Sequence, residues 1–215
     1  MKVFLDTSII SEIKKGVDTG LVYGVTTNPS IIAKSGRKFL DVIKEITEVV
    51  PGHISVEVMA DDVAGMVAEA VEYKRLAPQI AIKVPMTKEG LKAVPILEKE
   101  KDIRVNVTMV FSASQACLAM KAGASYVSIV ISRLDAIGTE STQLIYDTML
   151  IRKNYGLTSE IIAGSVKTQN NLLDCMRAGV DIATIPMTLF DQMFAHPLTT
   201  DGIEGFKKDW AGVPK

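Results

Sequence analysis

The sequence has very few of the residues that build disulfides or histidine-based metal sites. Its 215 residues include only two cysteines, Cys117 and Cys175, and two histidines, His53 and His196. Both cysteines lie in helical patterns and are too few for a disulfide framework, so we predict reduced thiols and a cytoplasmic protein. Two histidines are also too few for a histidine-built metal centre. We therefore expect neither a metal nor another cofactor.

The chain also lacks an excess of charge and any long apolar run. Lysine and arginine total 24 and aspartate and glutamate total 25, which gives a net charge of −1. That balance offers no electrostatic attraction to nucleic acid or to a membrane surface. No stretch approaches the ~18 apolar residues of a membrane span, and Asp6 interrupts the N-terminus before a signal-peptide core could form. We expect no nucleic-acid partner, no signal peptide and no membrane span.

What the sequence does contain is a repeated alternation of short apolar strands and amphipathic helices. Hydrophobic residues make up 47% of it, which is enough for one sizeable core. Strands that alternate with helices predict βαβ units and a parallel sheet. The candidate strands are Val3–Thr7, Gly24–Asn28, Ile54–Met59, Ile80–Met86, Ile103–Val110, Ser125–Ser132, Ile161–Val166 and Asp181–Met187.

Eight strand–helix units in one chain of this length favour an α/β fold of the (β/α)8 TIM barrel type. We expect a single barrel domain over residues 1–215. A doubly wound open sheet is the alternative fold. It usually has a glycine-rich first turn, and Asp6-Thr7-Ser8 is no such turn.

The helix boundaries carry their own signals. Asp61 is predicted to cap the helix after the third strand, and Pro95 to kink or break the helix after the fourth. After the eighth strand an extra C-terminal helix is predicted at about 201–211, with Asp201 and Glu204 as its capping pair. This helix has no strand of its own to cover.

One lysine, Lys83, lies in the middle of the fourth predicted strand, on the face opposite Ile82 and Val84. A buried lysine is costly to desolvate. An amine in apolar surroundings loses part of its preference for the charged form and can then attack a carbonyl to form a Schiff base. The alternatives are a lysine that snorkels to solvent or one that pairs with a buried carboxylate.

Polar residues recur in the second half of the predicted strands, on the face opposite the β-branched side chains. In a closed barrel the β-branched face packs on the helices, and the polar face lines the C-terminal mouth, where barrel active sites lie. Singly, these residues have structural alternatives, such as Asp6 or Asn28 capping a helix. Together they form the constellation that covalent carbonyl chemistry requires. They are Asp6, Thr26, Asn28, Glu57, Lys83, Asn106, Thr108, Ser128 and Ser165.

Several of these residues lie in motifs of a known family. Over essentially its whole length the chain resembles the small transaldolases and the closely related fructose-6-phosphate aldolases. The most specific motifs are Val25-Thr26-Thr27-Asn28-Pro29-Ser30 and Lys83-Val84-Pro85-Met86-Thr87. Further matches are Phe4-Leu5-Asp6-Thr7, Val56-Glu57-Val58, Asn106-Val107-Thr108, Ser132-Arg133-Leu134-Asp135 and Lys208-Asp209-Trp210.

The resemblance implies a class I, Schiff-base mechanism without metal, acting on sugar phosphates. Lys83 would attack the C2 ketone of a ketose phosphate, and Asp6 would take the C4 hydroxyl proton. The C3–C4 bond would break and release an aldose phosphate. The dihydroxyacetone unit would stay on Lys83 as an enamine until an acceptor aldehyde or a proton arrives. Glu57 and Thr108 would hold the catalytic water used for imine formation.

The resemblance also implies binding roles. Asn28 and Asn106 would hydrogen-bond the retained three-carbon unit, and Ser128 would lie near its terminal hydroxyl. Arg133, with its planar forked donor, would clamp the phosphate. The remaining predicted substrate-binding residues are Thr26, Ser165 and Lys167.

Three positions bear on the choice of reaction and substrate. Glu57 favours a transaldolase, because the aldolases usually have glutamine there. Val130 stands where the family usually has an aromatic residue, which argues against a typical aldolase and widens the pocket. Lys167 stands where transaldolases usually have a second phosphate-binding arginine. Two alternatives stay open: a lyase that splits fructose 6-phosphate into dihydroxyacetone and glyceraldehyde 3-phosphate, and a relative acting on a ketose with a different anionic tail.

The family further suggests a homo-oligomer, such as a pentamer or decamer, in which the last helix reaches a neighbouring subunit. A simple cover on the barrel is the other interpretation of that helix. A catalytically silent barrel that only binds a sugar phosphate is a hypothesis from a different class. The cost of burying Lys83 argues against such a passive site.

Overall fold

The computed structural model describes residues 1–34 and 36–214 of the chain. Eight parallel strands form a closed barrel in sequence order, and β8 pairs with β1 to complete it. The predicted (β/α)8 barrel is therefore confirmed. The strands are β1 Lys2–Asp6, β2 Val22–Thr26, β3 His53–Glu57, β4 Ile80–Pro85, β5 Val105–Val110, β6 Tyr126–Val130, β7 Glu160–Gly164 and β8 Ile182–Ile185.

Helices surround the barrel and follow its strands. In the described part of the chain, no helix is long and apolar enough to cross a bilayer. The helices are α1 Ile10–Asp18, α2 Pro29–Lys34, α3 Phe39–Val49, α4 Val63–Lys74, α5 Lys88–Pro95, α6 Ala113–Lys121, α7 Ile131–Ala136, α8 Ser141–Asn154, α9 Gln169–Ala178, α10 Met187–Gln192 and α11 Pro197–Ala211.

The alternation of side chains along the strands separates two packed regions. β-Branched residues such as Val105, Val107 and Val127 are fully buried against the helices. The opposite face fills the barrel with a smaller cluster of Phe4, Ala81, Tyr126, Ile162 and Ile182. These apolar residues occupy the first and middle parts of their strands. The strand ends at the C-terminal mouth are therefore left to polar side chains.

The boundaries of α4 and α5 test two of the predicted signals. Asp62, not Asp61, caps α4, because its Oδ1 accepts from the Gly65 amide at 2.9 Å. Pro95 ends α5 as predicted, and a π-helical turn, Ile96–Glu100, follows it.

The C-terminal helix is longer than predicted. It begins at Pro197 rather than near Asp201, because proline suits the first helical position and the ring of His196 accepts from the Leu198 amide. The sixth strand is shorter than predicted. It ends at Val130, and Ile131 already starts the short helix α7, which carries Arg133 at the barrel mouth.

Candidate active site

A cavity of about 270 Å³ opens at the C-terminal mouth of the barrel. All the side chains predicted for the site line it, except Asn106 and Lys167. The lining residues are Asp6, Thr26, Asn28, Pro29, Ser30, Glu57, Lys83, Thr108, Met109, Ser128, Val130, Arg133, Gly164, Ser165 and Thr184. Residues from all eight strands thus converge on one space because the carboxyl ends of the strands meet at one rim.

Lys83 is 7% exposed and reaches this cavity from β4. Its Nζ donates to Glu57 Oε2 at 3.0 Å and to the carbonyl oxygen of Thr27 at 2.9 Å. Lys83 therefore does pair with a carboxylate, as one of its structural alternatives supposed, although the Glu57 side chain is only partly buried. The amine faces a proton acceptor instead of the purely apolar surroundings that the sequence indicated. Lys83 and Glu57 are also register partners across β3 and β4, which holds the two side chains together.

Asp6 lies in the same cavity, at the end of β1. Thr26 Oγ1 donates to Asp6 Oδ1 at 3.0 Å and lies 2.6 Å from Thr184 Oγ1. Since the proton of Thr26 goes to Asp6, Thr184 donates to Thr26. Burial raises the pKa of Asp6, although the Thr26 hydrogen bond and the charges of Lys83 and Lys167 act in the opposite direction.

Thr184 was missed by the sequence analysis. It lies on β8 between Ala183 and Ile185, both of which are fully buried, and Thr184 itself lines the cavity. The alternation rule applied to the other strands would have found it, because Thr184 is the polar residue on the inward face of β8.

Met109 was missed for a structural reason. The register between β5 and β6 shifts between Val107 and Val110, and Met109 has a positive φ of 62°. The extra residue is a bulge that breaks the alternation, so Thr108 and Met109 both line the cavity. Ser165, just after β7, also has a positive φ, of 56°. Such conformations of non-glycine residues are strained and concentrate at functional sites.

Asn106 lies beneath the cavity and has no exposed surface. Its Oδ1 accepts from Ser128 Oγ at 2.8 Å, and its Nδ2 donates to Ser55 Oγ at 3.1 Å. Of these three residues, only Ser128 lines the cavity. Asn106 can thus support Ser128 from below, and its predicted contact with a substrate stays a prediction.

Two cations lie near the rim. The exposed Arg133 contacts Met109, with Nη1 3.7 Å from the sulfur, and forms no ion pair with any carboxylate in the described ranges 1–34 and 36–214. Lys167 is exposed and lies outside the cavity lining. Its charge nevertheless acts on Asp6. The positive side chains at the rim and the carboxylates deeper in the site suit a substrate with an anionic tail.

Asn28 combines a structural and a functional position. Its Oδ1 accepts from the Ile31 amide at 2.9 Å and so caps α2, as the structural alternative supposed. The residue also lines the cavity, where its amide nitrogen is the group that can donate. Among residues 1–34 and 36–214, no group of three His, Cys, Asp or Glu side chains is arranged to hold a metal ion.

The side chains that line the cavity are suited to the reaction of an amine with a carbonyl compound. Lys83 supplies a nitrogen nucleophile, and Glu57 is an acceptor within hydrogen-bond distance of it. Asp6 supplies a second, separate carboxyl group whose raised pKa suits proton transfer. The small hydroxyl and amide groups around them can orient a polyhydroxylated substrate.

Comparison with known proteins agrees with this geometry. The family model described as "Transaldolase/Fructose-6-phosphate aldolase" matches residues 3–215. A protein of Geobacter sulfurreducens named "Probable transaldolase" is 53% identical over 215 residues, 100% of both chains. Proteins of the same name from Thermoanaerobacter sp. and Methanococcus maripaludis are 50% and 51% identical over 210 residues, 98% of this chain and 97% of theirs. The chain therefore belongs to the transaldolase/fructose-6-phosphate aldolase family.

Proposed function

We propose that this protein is a transaldolase that uses Lys83 as a Schiff-base nucleophile. It transfers a dihydroxyacetone unit from a ketose phosphate, such as sedoheptulose 7-phosphate or fructose 6-phosphate, to an aldose phosphate. The observation that carries the proposal is the buried Lys83 amine, 3.0 Å from Glu57 and in one cavity with Asp6. The family supports the reaction type, since its relatives carry the name transaldolase.

The first step needs a neutral amine. Glu57 accepts a proton from Lys83 along the hydrogen bond between them, and the free electron pair of the nitrogen adds to the C2 carbonyl of the ketose. The carbonyl oxygen is protonated and leaves as water, and the product is a protonated imine. Thr108 lines the cavity, and its hydroxyl can hold that water together with Glu57.

The second step breaks the C3–C4 bond. The Asp6 carboxylate takes the proton of the C4 hydroxyl, the C4 oxygen becomes a carbonyl, and the aldose phosphate leaves. The electron pair of the broken bond moves into the imine and produces an enamine on Lys83. The enamine then attacks the aldehyde carbon of an acceptor aldose phosphate, which reverses these events. Water finally releases from Lys83 a new ketose that is three carbons longer than the acceptor.

Binding of the substrate tail is assigned to the rim. Arg133 can bind an anionic group with its forked donors, and Lys167 adds a second charge nearby. Ser165 and Asn28 line the cavity and supply further hydrogen-bond donors. Val130 is small and nearly buried in the lining, so it leaves space that an aromatic residue would fill. That space and Lys167 support testing ketoses with a non-phosphate anionic tail as an alternative.

The test compares transfer with simple cleavage. With fructose 6-phosphate and erythrose 4-phosphate, we expect sedoheptulose 7-phosphate to form faster than free dihydroxyacetone. Borohydride should trap a covalent adduct on Lys83, located by peptide mass. A protein that releases dihydroxyacetone at the same rate with and without the acceptor is a lyase. A screen of ketose donors with phosphate and other anionic tails, scored by adduct mass, identifies the tail. An unmodified Lys83 with every donor would contradict the Schiff base.

We further propose that the protein is a cytoplasmic homo-oligomer, such as a pentamer or decamer, joined through α11. No residue of this helix is buried, and Phe206 and Trp210 are 76% and 70% exposed. Such an apolar patch marks an interaction surface. The free thiols of Cys117 and Cys175 support a reducing compartment.

Sedimentation tests the assembly. The wild-type protein should sediment at a multiple of the 23.3 kDa chain mass, and Phe206→Glu should lower that mass towards the monomer. Leu118→Glu is the matched control, because Leu118 is also an exposed helical residue, on α6. A wild-type protein that sediments as a monomer would rule the assembly out.

A further inference from the structure

A chain of hydrogen-bonded side chains runs through the inside of the barrel, from the start of β3 to the catalytic cavity. Ser128 Oγ donates to Asn106 Oδ1 at 2.8 Å, and Asn106 Nδ2 donates to Ser55 Oγ at 3.1 Å. Ser55 Oγ lies 2.6 Å from His53 Nε2. Ser55 and Asn106 have no exposed surface, so each link is shielded from water. His53 itself lies at the opposite end of β3 from Glu57.

The hydrogen bonds in this chain have one direction. The amide of Asn106 donates with its nitrogen, so Ser55 Oγ accepts from it and has one proton left to donate. The direction of the last hydrogen bond depends on the tautomer of His53, and we assign Nε2 as the unprotonated ring nitrogen, which accepts from that hydroxyl. With this assignment every proton in the series of hydrogen bonds points away from the cavity, and His53 is the final acceptor.

The surroundings of His53 keep it in that accepting state. Its ring packs 5.1 Å from the ring of Phe4 and edge-on at 4.4 Å from the ring of Tyr126. Desolvation, with the nearby charges of Arg104 and Lys2, lowers the pKa of His53 from 6.5 to about 3. The imidazole is neutral at physiological pH and retains a lone pair for Ser55.

We propose that His53 is a positioning residue for the transfer reaction, acting through Ser55 and Asn106 to fix the orientation of the Ser128 hydroxyl. Because the Ser128 proton is taken by Asn106, the oxygen presents only lone pairs to the cavity. Ser128 then selects a substrate group that donates, such as a hydroxyl, and disfavours a carbonyl or anionic oxygen. The inference rests on the proposed function and on the role that the family resemblance implies for Ser128, which places it near the terminal C1 hydroxyl of the dihydroxyacetone unit.

The test removes the final acceptor and compares two donors. His53→Phe retains a ring between Phe4 and Tyr126 but has no Nε2, so the hydroxyl of Ser55 loses its partner. For fructose 6-phosphate, kcat/KM should fall about tenfold, the effect of one hydrogen bond of ordinary net strength. For 1-deoxyfructose 6-phosphate, which has no C1 hydroxyl, it should hardly change. His53→Gln offers an acceptor oxygen and should restore most of the preference for fructose 6-phosphate.

A second variant shows whether His53 acts on Ser128 through the hydrogen bonds of Ser55 and Asn106. Ser55→Ala should cause the same loss of preference, and adding His53→Phe to it should cause no further loss. Additive losses, or an equal fall with both donors, would show that His53 only supports packing and would overturn the proposal. A wild type that prefers 1-deoxyfructose 6-phosphate would also overturn it. If His53→Phe shows no cooperative unfolding transition in urea, His53→Leu, which also lacks Nε2, replaces it in both the comparison of donors and the double variant.

The outcome separates this inference from the proposed function. If borohydride traps no adduct on wild-type Lys83 with fructose 6-phosphate, the proposed function fails. If the wild type and His53→Phe both form the adduct and have the same preference between the two donors, only the role of His53 is wrong.

Discussion

Lys83→Met is expected to lower kcat/KM for transfer by at least about 10⁴-fold, because methionine fills the space of the lysine but has no nucleophilic nitrogen. The borohydride adduct should disappear from the protein. Lys83→Arg keeps a positive charge that can pair with Glu57, yet its guanidinium does not deprotonate to a nucleophile. It should be as inactive as Lys83→Met. The two variants together separate the charge of Lys83 from its nitrogen chemistry, in steady-state transfer and trapping assays.

Lys92→Met is the matched control. Lys92 is an exposed lysine on α5 that pairs with Glu89 at 2.6 Å, so its loss should leave the activity within about twofold of the wild type. A Lys83→Arg enzyme of near wild-type activity would exclude the covalent mechanism. The silent-barrel hypothesis makes its own prediction: neither the wild type nor Lys83→Ala turns over any ketose, and both bind sugar phosphate equally.

Asp6→Asn is expected to reduce the cleavage of the C3–C4 bond by about 10²- to 10⁴-fold, the usual contribution of a general base. In the proposed mechanism Lys83 and Glu57 form the imine without Asp6, so the adduct with fructose 6-phosphate should still form and be trapped. A loss of turnover with retained trapping would assign Asp6 to the cleavage step. A variant that loses trapping as well would show that Asp6 is needed for imine formation, contrary to its proposed role.

The same variant should unfold at a higher urea concentration near neutral pH. Burial raises the folded-state pKa of Asp6 above its ordinary value of 3.8, so the ionised carboxyl costs the folded state stability. Below about pH 3.8 the group is protonated in both states and the cost vanishes. The stability advantage of Asp6→Asn should therefore grow as the pH rises from about 4, and level off above the folded-state pKa. The exposed Asp18→Asn is the control and should not gain stability over this range.

The expected effects of Asp6→Asn on activity and on stability have one cause. Removal of the carboxyl from water makes it a better proton acceptor and also makes the folded state less stable. Thr26 limits this cost with its hydrogen bond to Asp6, and Thr184 in turn donates to Thr26. If Asp6 is the general base of the proposed mechanism, a stronger base at this position costs the folded state stability.

The barrel and most of its site could be predicted because strand patterns are local. Period-two alternation on Val105 and Val107, with Asn106 and Thr108 between them, requires only neighbouring residues to assign each face. Helix caps are local in the same way: Thr168 caps α9 through a hydrogen bond to the Asn171 amide, only three residues away. Asp61 shows the limit of such signals, since two adjacent aspartates compete and only the backbone decides which one caps.

The sequence by itself determined, for the strands without a bulge, which side chains point into the barrel, and it placed a lysine among them near the carboxyl ends of the strands. Only the tertiary structure decided their heights along the barrel axis, since these depend on strand register and closure and not on local alternation. Register brings Lys83 beside Glu57 instead of leaving it in apolar surroundings, and it leaves Asn106 below the cavity. The bulge at Met109 and the chain from Ser128 to His53 have the same origin, since each depends on pairing between separate strands.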